Sequence, residues 1–139
     1  MKSLLFLAAA VALSAADGPV TYADHAKVAE ALVKGGALAR GSDFTVSGAH
    51  RSAAGQVEVH EKETDIIYIT DGEATFVTGG TMVGGKLTKA GQWLGTDIEG
   101  GTTQHLTKGD VVTIPAGTPH WFKEVPQSVN YFLVKVLKP

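Results

Sequence analysis

Hydrophobic and polar positions follow three different rhythms along the chain. Leu4 to Leu13 are apolar without a break. Between Thr21 and Gly35, Ala26, Val28, Ala29, Leu32 and Val33 recur at helical spacing. Thr21 offers a cap, Asp24 stands three residues on as in a capping box, and Gly35-Gly36 ends the run. One helix is expected at about 22–34. From Asp43 onward the period drops to two and the apolar segments shorten. They predict strands near 43–48, 56–60, 64–70, 73–78, 86–94, 103–107, 110–114, 119–124 and 129–137. Turn signals separate them, among them Asp71-Gly72, Gly79-Gly80, Gly84-Gly85, Lys108-Gly109 and Pro115-Ala116-Gly117. Eight or nine short strands at this spacing make an all-β protein, a sandwich, jelly roll or barrel. Ile66-Ile67-Tyr68-Ile69 and Tyr131-Phe132-Leu133-Val134 are apolar on both faces. Their outer face needs cover from the helix or from a second copy, so a homodimer is expected.

Composition narrows this further. The length of 139 residues suits one domain, and 44% hydrophobic with 19% charged residues excludes disorder as the main state. No cysteine is present, which removes disulfides, thiolate zinc sites, iron–sulfur clusters and a cysteine nucleophile. A net charge of -2 lacks the cationic face that non-specific nucleic-acid binding requires. The opening Lys2, the apolar run and the small residues Ser14 and Ala16 read as a signal peptide over 1–16, cleaved before Asp17. The run is too short to span a bilayer. The expectation is therefore one exported domain over 17–139, periplasmic or secreted, with no membrane contact in its mature form.

Two segments carry candidate chemistry. In the first, Glu58 and His60 are two apart on a strand, so their side chains leave one face and can converge on one ion. Asp65 follows a short turn and shares a face with Ile67 and Ile69. In the second, His120 follows the rigid turn Pro115-Ala116-Gly117 on a strand distant in sequence. If that strand pairs nearby, His60, His120 and a carboxylate form a mixed nitrogen/oxygen cluster. Such a set suits iron, manganese, zinc or nickel.

These segments resemble the two motifs of the cupin superfamily. His60, Asp65 and Gly72 match the second histidine, the acid and the closing glycine of the first motif. Gly109, Pro115, Gly117 and His120 match the second motif in register. The resemblance covers about residues 43–137 and implies an antiparallel jelly-roll β-barrel holding one divalent transition metal ion. It also implies His60, Asp65 and His120 as ligands, with Glu58 as the fourth. Three positions depart from the pattern: Glu58 stands for the first histidine, Asp65 for the usual glutamate and Glu124 for the final asparagine. Two carboxylates on one divalent ion would cancel its charge and weaken it as a Lewis acid. Glu124 lies four strand residues past His120 and is placed on the rim or behind the ligands.

Other features read as structural. His105 is expected to face outward and His25 to be solvated near the first helical turn, while His50-Arg51 follows a turn and is read as a solvated loop pair, the alternative being that it reaches the barrel mouth to meet an anionic substrate. Phe122 shares the inward face with His120 and belongs to the core, while Trp121 is expected to pack outside. Trp93 is compatible with a pocket wall or a subunit contact. The segment Gly80–Lys86 imitates a phosphate loop but lacks the following hydroxyl residue and helix. The functional expectation is a metal-dependent enzyme of oxygenase, isomerase or lyase type on a small oxygenated molecule, with Glu58 as general base if it stays off the metal. The alternative is a non-catalytic barrel that binds a sugar or another small molecule. A closed protein shell around the ion favours binding, exchangeable water favours catalysis.

Overall fold

The computed structural model describes residues 18–138, so the signal-peptide segment 1–16 lies outside the described residues. One helix, α1 (His25–Lys34), is followed by twelve strands. They are β1 (Gly36–Arg40), β2 (Phe44–Arg51), β3 (Val57–His60), β4 (Glu63–Thr78), β5 (Thr81–Val83) and β6 (Lys86–Lys89). After them come β7 (Gln92–Gly95), β8 (Asp97–Glu99), β9 (Thr102–Thr107), β10 (Val111–Ile114), β11 (His120–Glu124) and β12 (Val129–Leu137). Among the described residues no helix is long and apolar enough to cross a membrane.

All pairings are antiparallel, and β4 belongs to two sheets. Its first half pairs β10 and β12, and β12 leads through β2 to β1. Its second half pairs β9 and β11, and β11 leads through β3 and β7 to β6. This two-sheet jelly roll is the all-β architecture the alternation predicts. Its inner faces share a core of Ile67, Ile69, Ala74, Phe76, Leu106, Ile114, Phe122, Val129 and Tyr131.

The expected turn at Asp71-Gly72 is instead the crossing point within β4. The register against β12 slips between Asn130 and Tyr131, where Tyr131 pairs Ile69 and Asn130 pairs Asp71. That slip leaves Thr70 as an extra residue, a bulge that bends the strand from one sheet to the other. Gly72 sits at φ 76, and a Cβ there would lie 2.0 Å from the Ser128 carbonyl oxygen. A glycine signal is thus shared by reversals and by kinks, and spacing alone does not separate the two.

Smaller differences have local causes. The helix starts at His25 because Asp24, not Thr21, is the cap, its carboxylate accepting from the Lys27 amide at 2.9 Å. The segment expected at 86–94 is a hairpin, β6 and β7, turned at Ala90-Gly91. Strand β1, directly after the helix, and the ribbon of β5 with β8 were not expected from the pattern. They are three to five residues long and mostly exposed, which leaves little alternation to read. Helix α1 lies on the outer side of β2, close enough that a Cβ at position 48 would meet the Ala31 backbone at 2.6 Å. It leaves Tyr68, Val111, Phe44 and Val136 of the same sheet exposed.

Candidate metal centre

The site is built where β3, β4, β11 and β12 present their inner rows at one end of the sandwich. Glu58 of β3 pairs in register with His120 of β11, which brings together two residues sixty-two positions apart. Pro115–Thr118 forms the turn that aims His120. The Thr118 amide donates to the Pro115 carbonyl at 3.1 Å, and Gly117 takes φ 81, the value a type II turn asks of its third residue. The Gly117 amide then donates to the His60 carbonyl at 2.7 Å, pinning the turn against the end of β3.

His60, Asp65 and His120 are buried, and Glu58 is partly buried. His60 Nε2 lies 3.3 Å from Glu58 Oε2 and 3.5 Å from Asp65 Oδ2. His120 Nε2 lies 3.8 Å from the same Asp65 oxygen, and the imidazole centroids are 5.1 Å apart. All four sequence-predicted residues therefore meet. Donor atoms of Glu58, His60 and His120 lie within 4.8 Å of one another, as do those of His60, Glu63 and Asp65.

The imidazoles are turned for coordination. His60 Nδ1–H donates to the Gln92 side-chain oxygen, and His120 Nδ1–H donates to the Thr118 carbonyl at 3.0 Å. These partners assign the proton to Nδ1 on both rings and leave the Nε2 lone pairs facing the centre. Among the described residues His60 Nε2 is buried with no hydrogen-bond partner. A buried acceptor without a donor is costly, and a cation at the focus of these oxygens and nitrogens removes that cost. The residues fit a divalent metal ion.

Electrostatics sets the two histidines apart. Burial disfavours the His60 cation, but the adjacent carboxylates of Glu58 and Asp65 outweigh it and hold this imidazole above its ordinary value. Burial dominates at His120 and keeps it below. At Glu58 burial is outweighed by the adjacent His60, the nearby His120 and Arg51, so its carboxyl sits low. His60 is thus the more basic nitrogen and Glu58 a carboxylate at neutral pH.

Sequence reasoning missed one of the two groups that balance this charge, Lys135, and favoured a solvated loop for the other, Arg51. Lys135 Nζ donates to both Asp65 oxygens, at 2.9 and 3.0 Å, and to Glu63 Oε2 at 2.8 Å. Arg51 is no loop residue: it ends β2, its Nε donates to the Tyr131 hydroxyl at 3.1 Å and its Nη2 lies 3.4 Å from Glu58 Oε1. The available signal was the register of β12, where Lys135 falls in step with Leu133 and Tyr131 on the inward row. The other discounted residues stand away from the centre. Glu124 is exposed and accepts from Thr75, His105 is exposed and pairs Glu73 at 2.9 Å, and His50 contacts Asn130 at 2.6 Å. Trp121, expected outside, lines the cavity and donates to the Gly55 carbonyl, while Phe122 joins the core as expected. Trp93 donates to Glu61.

The centre opens into a cavity of about 340 Å³ walled by Ile67, Leu133, Trp121, Phe122 and Tyr131. Similar folds are known. BH2720 from Bacillus halodurans matches with a TM-score of 0.54 at 13% identity, over 74% of this chain and 69% of that one. The cupin domain of Cnp3 from Schizosaccharomyces pombe gives 0.54 at 13%, over 74% and 59%. The DMSP lyase DddQ from Ruegeria pomeroyi gives 0.50 at 21%, over 74% of this chain and 42% of the lyase. No curated protein matches the sequence. The cupin family pattern, by contrast, runs through residues 19–139, and with the jelly roll beneath it the chain belongs to the cupin family.

Proposed function

We propose that this protein is an exported, metal-dependent cupin enzyme acting on a small oxygenated molecule. His60, His120 and Glu58 would hold the ion, with Asp65 as a fourth donor through Oδ2 while Lys135 keeps its hold on Oδ1. A divalent iron, manganese, zinc or nickel ion there would supply Lewis acidity and open positions for small oxygen donors. The chain's own part is to orient and to balance charge. Gln92 and Thr118 fix the ring tautomers, and the apolar wall limits water. The observation that carries the reading is the buried, unpartnered His60 Nε2 facing three further donors.

The choice of enzyme over passive binder rests on the counter-cations. Two carboxylates alone would neutralise a divalent ion, but Arg51 stands on Glu58 and Lys135 on Asp65. The ion's field is therefore not cancelled. The fold itself does not select oxygenase, isomerase or lyase chemistry. Reconstitution with each metal followed by elemental analysis tests the site. About one equivalent is expected, and His60→Ala/His120→Ala abolishes it. Less than about a tenth of an equivalent of every metal in the unsubstituted protein overturns the reading. Water-proton relaxation of the manganese form separates the functions: exchangeable water supports catalysis, a closed shell supports the binding barrel.

Export over 1–16 is part of the proposal and predicts a mature N-terminus at Asp17 by terminal sequencing. The exposed Tyr68, Val111, Phe44 and Val136 support a homodimer, checked by light scattering, with a monomer mass as the contrary result.

A further inference from the structure

Charge in the cavity is unevenly matched. Its walls carry the cations Arg40, Arg51, Lys89 and Lys135 against the carboxylates Glu58, Glu63 and Asp65. With neutral imidazoles that is one positive charge in excess, and a bound divalent ion raises the excess to three. Lys135 is spoken for by Asp65 and Glu63. Arg40 and Lys89 form no ion pair among the described residues, although they come from β1 and β6, the two outermost strands in the sheet order. They stand at the exposed mouth.

Arg51 occupies the inner wall. Its guanidinium stacks over the Phe122 ring at 5.0 Å and its Nε is fixed by Tyr131, so the fork is held before any ligand arrives. It spends one Nη2 contact on Glu58 Oε1, whose other oxygen is 3.3 Å from His60 Nε2. Only one carboxylate therefore separates the guanidinium from the candidate centre. A ligand with an anionic head and an oxygen donor two bonds away spans the same distance. Ile67, Leu133 and Trp121 leave an apolar space beside it for a short carbon body.

We propose that the cavity takes a small organic acid of the 2-oxo or 2-hydroxy carboxylate class, its carboxylate on Arg51 and its second oxygen toward the His60–His120 centre. Arg40 and Lys89 draw the anion to the mouth. The proposal rests on the metal reading for the second oxygen and on the chain's own cations for the carboxylate. A cationic ligand adds to the excess charge, and a neutral one leaves it unanswered.

The test uses two probes of nearly one shape, 2-oxobutanoate and 2-oxobutanamide, titrated calorimetrically into the zinc-loaded protein. The acid is expected to bind at least about tenfold tighter than the amide. Arg51→Met removes that preference by weakening the acid about tenfold or more, leaves the amide within about twofold, and keeps zinc near one equivalent. Arg51→Lys, which keeps charge without the fork, recovers part of the loss. Equal affinity for the two probes, no binding of the acid at millimolar concentration, or an equal weakening of both in Arg51→Met overturns the proposal. Should zinc fail to bind, the metal reading falls, and the same titration without zinc still decides whether Arg51 selects the anion.

Discussion

The two ends of the sandwich interior are built from the same strands and differ in almost every physical respect. Along the inner row of β4 the side chains run Asp65, Ile67, Ile69 and then, beyond the kink, Ala74 and Phe76. Along β12 they run Lys135, Leu133, Tyr131 and Val129, and along β11 His120 and then Phe122. Each row passes from charge to hydrocarbon within about 10 Å of strand. At the apolar end Ile69, Phe76 and Val129 are fully buried and stabilise the fold by removing hydrocarbon from water. At the polar end the same strand geometry gathers carboxylates, imidazoles and an ammonium that gain little from burial unless each finds a partner. Stability is concentrated at one end and reactivity at the other.

The sharpest way to break this division is at the apolar end. Ile69→Ala leaves a cavity in the closed core and is expected to cost about 4 kcal/mol in denaturant unfolding, with zinc stoichiometry unchanged in the folded protein. A loss of zinc binding in that variant would mean that the two ends are not separable in function.

Lys135→Met acts at the other end and should destabilise the metal-free protein by about 3 kcal/mol, because Asp65 and Glu63 lose their shared cation. Added zinc is expected to recover most of that loss, since the metal then meets an unshared Asp65. The check is the unfolding midpoint with and without zinc. Equal losses in both conditions would remove Asp65 from the metal's surroundings.

The smallest effect sharpens the contrast by pH. Burial works against the Glu63 carboxylate, but the Lys135 hydrogen bond outweighs it and holds this group below its ordinary value. The unfolded chain thus takes up the proton first as acid is added. The stabilisation is whole above the unfolded value, near about 4.3, and is lost as pH falls through the lower folded one. Glu63→Gln should therefore be weaker than the unsubstituted protein by about 1 kcal/mol at pH 7 and match it once Glu63 is protonated in the folded as well as the unfolded chain. A gap that persists unchanged into acid would assign Glu63's effect to packing.

How much of this was legible beforehand follows the same division. The fold class and the shared face of Glu58 and His60 follow from alternation, because strand period fixes which face a residue takes, while the meeting of these two with Asp65 and His120 was implied by the resemblance to the cupin motifs. Lys135 was not legible as a site residue, because it lies in a strand whose other positions look apolar and only the pairing of β12 with β4 sets it opposite Asp65. Arg51 was legible only as the alternative to a solvated loop pair, since the sequence does not show that β2 runs on to include it. The kink at Gly72 was misread for a related reason: a positive φ is demanded equally by a reversal and by a strand that changes sheets.

That shared strand has a mechanical meaning. Since β4 donates hydrogen bonds to both layers across sixteen uninterrupted residues, neither layer can open without tearing the other's ladder. Amide exchange from Ile67 and from Phe76 should therefore report one common opening, while the edge strands β1 and β6 that carry the mouth can open below it.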